Sequence, residues 1–172
     1  MNGRLVAFGV LIVIGAVASV FTLSSHSVVA WNDKAVGLHQ RCEKAIHRLE
    51  PVLDPYLQGR QLDEEKTDAA YLDYASEVHI ASRELGYLTA PDDPECRKMQ
   101  DELIAYIDFQ KSQVTTLGEL IEEMKAANPP AEEDVEGVKA SLKALESQGK
   151  IVHNRLEAQQ RAVAAKFGLK LR

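Results

Sequence analysis

From residue 31 onward, apolar side chains recur at alternating spacings of three and four residues. This period places them along one stripe of an α-helix and is typical of the buried seam of a coiled coil or antiparallel bundle. Proline and glycine cluster at only three internal places in this part of the chain, namely Pro51 to Gly59, Pro91 to Pro94, and Pro129-Pro130. The clusters separate four predicted helices, at about 31–54, 64–88, 94–127 and 131–167. We therefore expect an all-α fold in which residues 31–172 form one antiparallel four-helix bundle, because the short connections make successive helices neighbours.

Residues at the predicted helix ends support these boundaries. Asp63 and Asp93 are suited to cap the second and third helices, and Pro94 suits the first helical position. Gly168 follows the last periodic residues, as a helix-ending glycine does. The capping residues thus indicate where three of the helices begin or end.

Residues 5–23 form an uncharged apolar run, LVAFGVLIVIGAVASVFTL. As a helix this run is about 28 Å long, close to the roughly 30 Å core of a bilayer. It predicts a membrane anchor in residues 1–23, with a short linker at 24–30. Arg4 precedes the run and no Lys or Arg follows before Lys34, so the positive-inside rule places the N-terminus in the cytoplasm and the bulk of the chain in the periplasmic or extracellular space.

A cleaved signal peptide is the alternative interpretation of the same run. Small residues offer two cleavage sites, at Ala16-Val17-Ala18 and at Val28-Val29-Ala30. The first leaves apolar residues on the mature end, and the second leaves an apolar core that is long for a signal. A retained anchor is therefore the preferred interpretation, and both alternatives export the same domain.

The charge balance argues against a nucleic-acid partner. The chain has 20 basic and 26 acidic residues and few aromatic ones, whereas phosphate backbones need a basic face.

Two cysteines are too few for a disulfide scaffold. Cys42 and Cys96 fall about 16 Å apart along the predicted bundle axis, which is too far for a disulfide.

The sequence contains no motif that carries catalysis or holds a phosphate, haem or di-iron centre, so we expect a protein that is not an enzyme and needs no cofactor. One weak candidate metal site remains. His39, Glu43 and His47 are spaced four apart and share a helix face, which suits zinc or copper. An ordinary solvated helix face is the simpler interpretation of this pattern.

The predicted third and fourth helices are longer than the first two, so their hairpin should extend about 15 Å beyond them at the end far from the membrane. Six apolar residues fall in this hairpin tip: Leu117, Leu120, Ile121, Met124, Val135 and Val138. They form either an exposed surface for a protein partner or a sealed two-helix hairpin, and the loop at 55–62 is the other element that can cover them.

The C-terminal residues form a second candidate surface. The fourth helix runs back towards the membrane and ends in three cations and three large apolar residues: Lys166, Phe167, Leu169, Lys170, Leu171 and Arg172. This composition suits the anionic surface of a bilayer. A frayed tail whose charges complement the helix dipole is the alternative.

The predicted layout resembles two kinds of protein at the level of architecture. Chemoreceptor sensor domains are four-helix bundles that follow an N-terminal anchor, and LemA-type proteins pair an anchor with an exported helical bundle. Fold analogy alone does not give function. The sequence favours a membrane-anchored extracytoplasmic bundle that acts as an adaptor or structural module by binding a protein partner or itself, and a bundle that senses or carries a small molecule or metal is the alternative.

Overall fold

A computed structural model describes the backbone of residues 3–170 and the side chains of residues 27–170. The described chain forms four α-helices and contains no strand, which confirms the all-α prediction. The helices are α1 (Gly3–Leu57), α2 (Glu64–Leu85), α3 (Pro94–Ala126) and α4 (Glu132–Phe167).

No helix within residues 27–170 is long and apolar enough to cross a membrane. The predicted anchor, residues 5–23, lies outside the residues whose side chains are described. The anchor therefore stays a prediction from the sequence.

Cross-helix contacts show that successive helices run antiparallel. Arg41 pairs with Glu84, whereas Arg48, further along α1, pairs with Asp73, which is earlier in α2. On the opposite side of the bundle, Glu102 of α3 pairs with Arg155 of α4, and Lys166 at the end of α4 returns to Asp93 and Glu95 at the start of α3. The order is therefore up, down, up, down, as the short connections require.

The predicted capping residues of α2, α3 and α4 are confirmed. The Asp63 carboxylate accepts from the backbone N–H of Lys66, and the Asp93 carboxylate accepts from those of Glu95 and Cys96. These bonds satisfy amides that the first turn of a helix leaves without a partner. Gly168 ends α4 in the left-handed conformation, with φ at 64°, which glycine adopts without a steric penalty.

The end of α1 differs from the sequence expectation. The proline cluster indicated an end near residue 54, but the helix continues through Pro51 and Pro55 to Leu57. It then closes at Gly59, whose φ is 73°, with a backbone bond from Arg60 N–H to the Pro55 carbonyl at 2.9 Å. This six-to-one bond is the helix-ending arrangement that a left-handed glycine permits. The extra length brings Tyr56, which is 1% exposed, over the far end of the bundle.

The six apolar residues of the hairpin tip are buried, so of the two alternatives the structure shows the covered tip and not an exposed apolar surface. They are Leu117, Leu120, Ile121, Met124, Val135 and Val138, none of which exceeds 6% exposure. The end of α1 and the loop of residues 58–63 cover them, and Leu62 of that loop is itself buried. Asn128, in the α3–α4 turn, holds the loop down through both backbone groups of Leu62, at 2.9 and 3.2 Å.

Candidate functional site

The bundle leaves an open groove on one side. Helix α4 packs mainly against α3 and makes much less contact with α1. The Phe109 ring lies between α3 and the Gly149 position of α4, 3.4 Å from where a Cβ would stand. Along this stretch Leu142 and Leu145 are only half-buried. The result is a cavity of about 1110 Å³ between α1, α3 and α4, which we call the α1/α4 groove.

The α1/α4 groove has an apolar floor and two charged rims. The floor is formed by aliphatic and aromatic side chains from all three helices: Ile46, Leu49, Leu53, Phe109, Leu142 and Leu145. The α1 rim carries three carboxylates, those of Glu43, Glu50 and Asp54. The α4 rim carries the lysines Lys139, Lys143 and Lys150, together with Glu146. The two rims are therefore opposite in charge, and between them the floor is mostly apolar, with the amides of Gln110 and Gln113 on its α3 side.

One end of the groove is closed by polar side chains that we call the histidine cluster: His39 and Glu43 of α1, Tyr106 of α3 and His153 of α4. His39 Nε2 lies 3.1 Å from His153 Nδ1. Glu43 Oε1 is 3.8 Å from His39 Nε2 and 3.7 Å from His153 Nδ1. The Tyr106 hydroxyl donates to the same carboxylate oxygen at 2.5 Å. Three helices thus converge on one carboxylate.

Burial sets the protonation of the cluster. It lowers the pKa of His39, and the neighbouring Glu43 carboxylate only partly opposes this effect. Burial, reinforced by Glu43, raises the pKa of Tyr106 far above its ordinary value. At neutral pH the cluster therefore contains a neutral His39 imidazole, which can accept through one nitrogen, and a protonated phenol that donates to Glu43.

The structure leaves His47 apart from the other two candidate metal ligands, His39 and Glu43. The side chain of His47 is 65% exposed and contacts Glu50 at 3.2 Å. The structure instead brings His153 from α4 against His39 and Glu43. An α1 helix face alone could not supply this residue. His153 is 114 positions from His39. Identifying it as a partner of His39 requires the register between α1 and α4, which the sequence pattern does not give.

Two tyrosines of α2, Tyr71 and Tyr74, join α2 to α3 through their hydroxyl groups. The Tyr74 hydroxyl donates to Gln110 Oε1 at 2.8 Å inside the core, and the Tyr71 hydroxyl donates to the Val114 carbonyl at 3.1 Å. The first of these bonds also gives Gln110, a buried polar residue in the α3 seam, the partner that it requires. These tyrosines therefore fix the packing of α2 on α3.

The C-terminal residues are partly committed to the bundle. The Lys166 ammonium contacts the Asp93 and Glu95 carboxylates at 2.6 and 2.7 Å. Phe167 and Leu169 pack, half-buried, against the core. Lys170 is exposed, and residues 171–172, Leu171 and Arg172, lie outside the described part of the chain. Contact of this segment with a membrane stays a prediction, with fewer free groups than the composition indicated.

Comparison with protein-family models, with curated proteins and with solved structures finds no match to this chain. Its function is therefore inferred from the chemistry of the α1/α4 groove and of the histidine cluster.

Proposed function

We propose that this chain is a non-enzymatic protein-interaction module whose α1/α4 groove binds an amphipathic helix of a protein partner. The observation that carries the proposal is the pairing of an apolar floor with rims of opposite charge. Helix-in-groove recognition uses this arrangement, in which an apolar stripe enters the groove and charged flanks meet its edges.

The length of the groove favours a helix over a compact molecule. On α1 the lining residues run from Glu43 to Leu57, which corresponds to about 21 Å of helix. A partner helix of about four turns spans that distance.

The rims specify the charge pattern of the partner. Lysine or arginine side chains along one flank would face the carboxylates of α1, and carboxylates along the other flank would face the lysines of α4. Asp54 and Lys143 are the most available members, because neither forms an ion pair within residues 27–170. The partner is thus an amphipathic helix with one basic and one acidic flank.

A set of synthetic helical peptides tests this proposal. All carry the same apolar stripe, and their flanks are mixed, all-lysine or all-glutamate. Binding to the full chain in lipid nanodiscs is measured by fluorescence anisotropy, with empty nanodiscs as the reference. We expect the mixed peptide to bind best and Lys143→Glu to weaken it about threefold to tenfold.

Lys98→Glu is the matched control, since Lys98 is exposed on α3 and does not line the groove. Equal binding of all three peptides, or equal effects of the two lysine variants, would overturn the proposal. Saturable binding of a compact apolar dye without peptide binding would instead identify a small-molecule carrier.

The same proposal places the bundle outside the cytoplasm, held by a transmembrane anchor at residues 5–23. The uncharged run and the position of Arg4 before it support this placement. N-terminal sequencing of the chain from isolated membranes should find the native start. A mature chain beginning at Ser19 or Trp31 would show that the segment is removed.

A further inference from the structure

We propose that His39, Glu43 and His153 form a binding site for one divalent transition-metal ion, with zinc as the best fit. The proposal is independent of helix docking in the α1/α4 groove. It rests on the arrangement of three donor atoms from two helices that are distant in sequence.

The donor atoms form a triangle of the right size. Its sides are 3.1 Å between His39 Nε2 and His153 Nδ1, 3.8 Å from the former to Glu43 Oε1, and 3.7 Å from the latter. A point equidistant from the three atoms lies about 2.1 Å from each, which matches zinc–nitrogen and zinc–oxygen bonds of about 2.0–2.2 Å. Little side-chain movement is needed to accept an ion.

Neighbouring side chains hold the donors in the orientation that a metal needs. His153 Nε2 lies 3.4 Å from Glu157 Oε1, so the ring proton belongs on Nε2 and Nδ1 is left as the ligand. The Tyr106 hydroxyl fixes the Glu43 carboxylate, and the Tyr106 ring packs edge-on against His39 at 4.7 Å. Carboxylate support of a ligating histidine is a recurrent feature of metal sites.

The donor set favours a transition metal over calcium or magnesium. Two imidazoles and one carboxylate suit zinc, copper or nickel, whereas calcium and magnesium prefer sites made of six or more oxygens. His39 is buried, and Glu43 and His153 are half-buried and line the groove. Three protein ligands with access from the groove leave a fourth position for water or for a group on a bound molecule.

Titration of the untagged, metal-free full chain with Zn²⁺ in a calorimeter tests this site, and visible absorption of the Co²⁺ form reports its geometry. We expect one ion per chain and tetrahedral Co²⁺ bands. His153→Ala and His39→Gln should each weaken binding about 100-fold or more, and Tyr106→Phe, which keeps all three ligands, about 10-fold. Circular dichroism verifies that each variant folds. His153 is half-buried and His39 is buried, so His153→Ala should disturb the core less than His39→Gln.

His47→Ala is the matched control, because it removes an exposed histidine from the same helix and should leave affinity unchanged. Equal losses in His47→Ala and His153→Ala would overturn the proposal and assign the ion to the exposed face of α1. Absence of saturable Zn²⁺ binding to the unmodified chain would overturn it as well.

Discussion

Asn128 holds the loop of residues 58–63 over the hairpin tip, so its replacement by alanine should open that end of the bundle. The side-chain amide of Asn128 forms two hydrogen bonds with the backbone of Leu62. The carbonyl accepts from the Leu62 N–H at 2.9 Å, and the amide nitrogen donates to the Leu62 carbonyl at 3.2 Å. A third bond, to Glu64 at 3.2 Å, is exposed and contributes little.

The magnitude follows from the two bonds to Leu62. Each bond contributes about 1 kcal/mol net, and each backbone group left buried without a partner costs about 1–3 kcal/mol. Leu62 is 3% exposed, so water reaches its backbone poorly without local opening. Asn128→Ala should therefore lower the free energy of unfolding by about 2–4 kcal/mol, which corresponds to roughly 4–16 °C in Tm for a chain of this size.

Urea unfolding of the full chain, followed by circular dichroism, measures this change. Hydrogen exchange at the Leu62 amide should lose protection in the same variant. Asn128→Asp keeps the acceptor, loses the donor and places a carboxylate near Glu64, so it should be intermediate. Asn154→Ala, at an exposed position of α4, is the control and should change stability by less than about 0.5 kcal/mol. A loss in Asn128→Ala no larger than this control would refute the reasoning.

Three further predictions concern burial and charge. Leu120→Glu places a carboxylate in the core and should unfold the bundle at neutral pH, whereas Leu72→Glu, at a position 64% exposed, should leave the thermal melt nearly unchanged. Lys166→Met should reduce stability at pH 7 but not near pH 2. The Lys166 ammonium lowers the pKa of the Asp93 and Glu95 carboxyl groups. Its contribution to stability is therefore present above the ordinary pKa values of these groups and is lost as pH falls through their lowered pKa values. Equal losses of stability at both pH values would contradict this. Burial raises the pKa of Cys42 to about 12 and that of Cys96 to about 11, so both thiols should resist iodoacetamide at pH 8 in the folded chain and react after urea unfolding.

Helix ends could be predicted where the signal is local. Asp63 and Asp93 cap α2 and α3 through bonds to amides two or three residues away, and Gly168 ends α4 through its own backbone conformation. The end of α1 was harder, because proline disfavours helix continuation while packing of Tyr56 in the core favours it. The tertiary contact prevailed at that position.

The candidate sites depended on contacts that the sequence pattern does not record. The six apolar residues of the hairpin tip carried the correct helical spacing, but their burial depended on a loop that Asn128 draws in from 66 positions away. The α1/α4 groove likewise depends on the Phe109 ring lying opposite Gly149. Neither contact follows from helical period alone.

The sequence by itself determined the helical class, the number of helices in residues 31–167 and their antiparallel order, because apolar period, capping residues and short connections all act over a few positions. Only the tertiary structure decided which residues of α1 meet which residues of α4. Those two helices are separated by two others and three connections, so local sequence patterns do not set their register. A shift of one helical turn would move His153 about 5.4 Å along the bundle axis. The observed register is therefore what adds the His153 donor atom to those of His39 and Glu43.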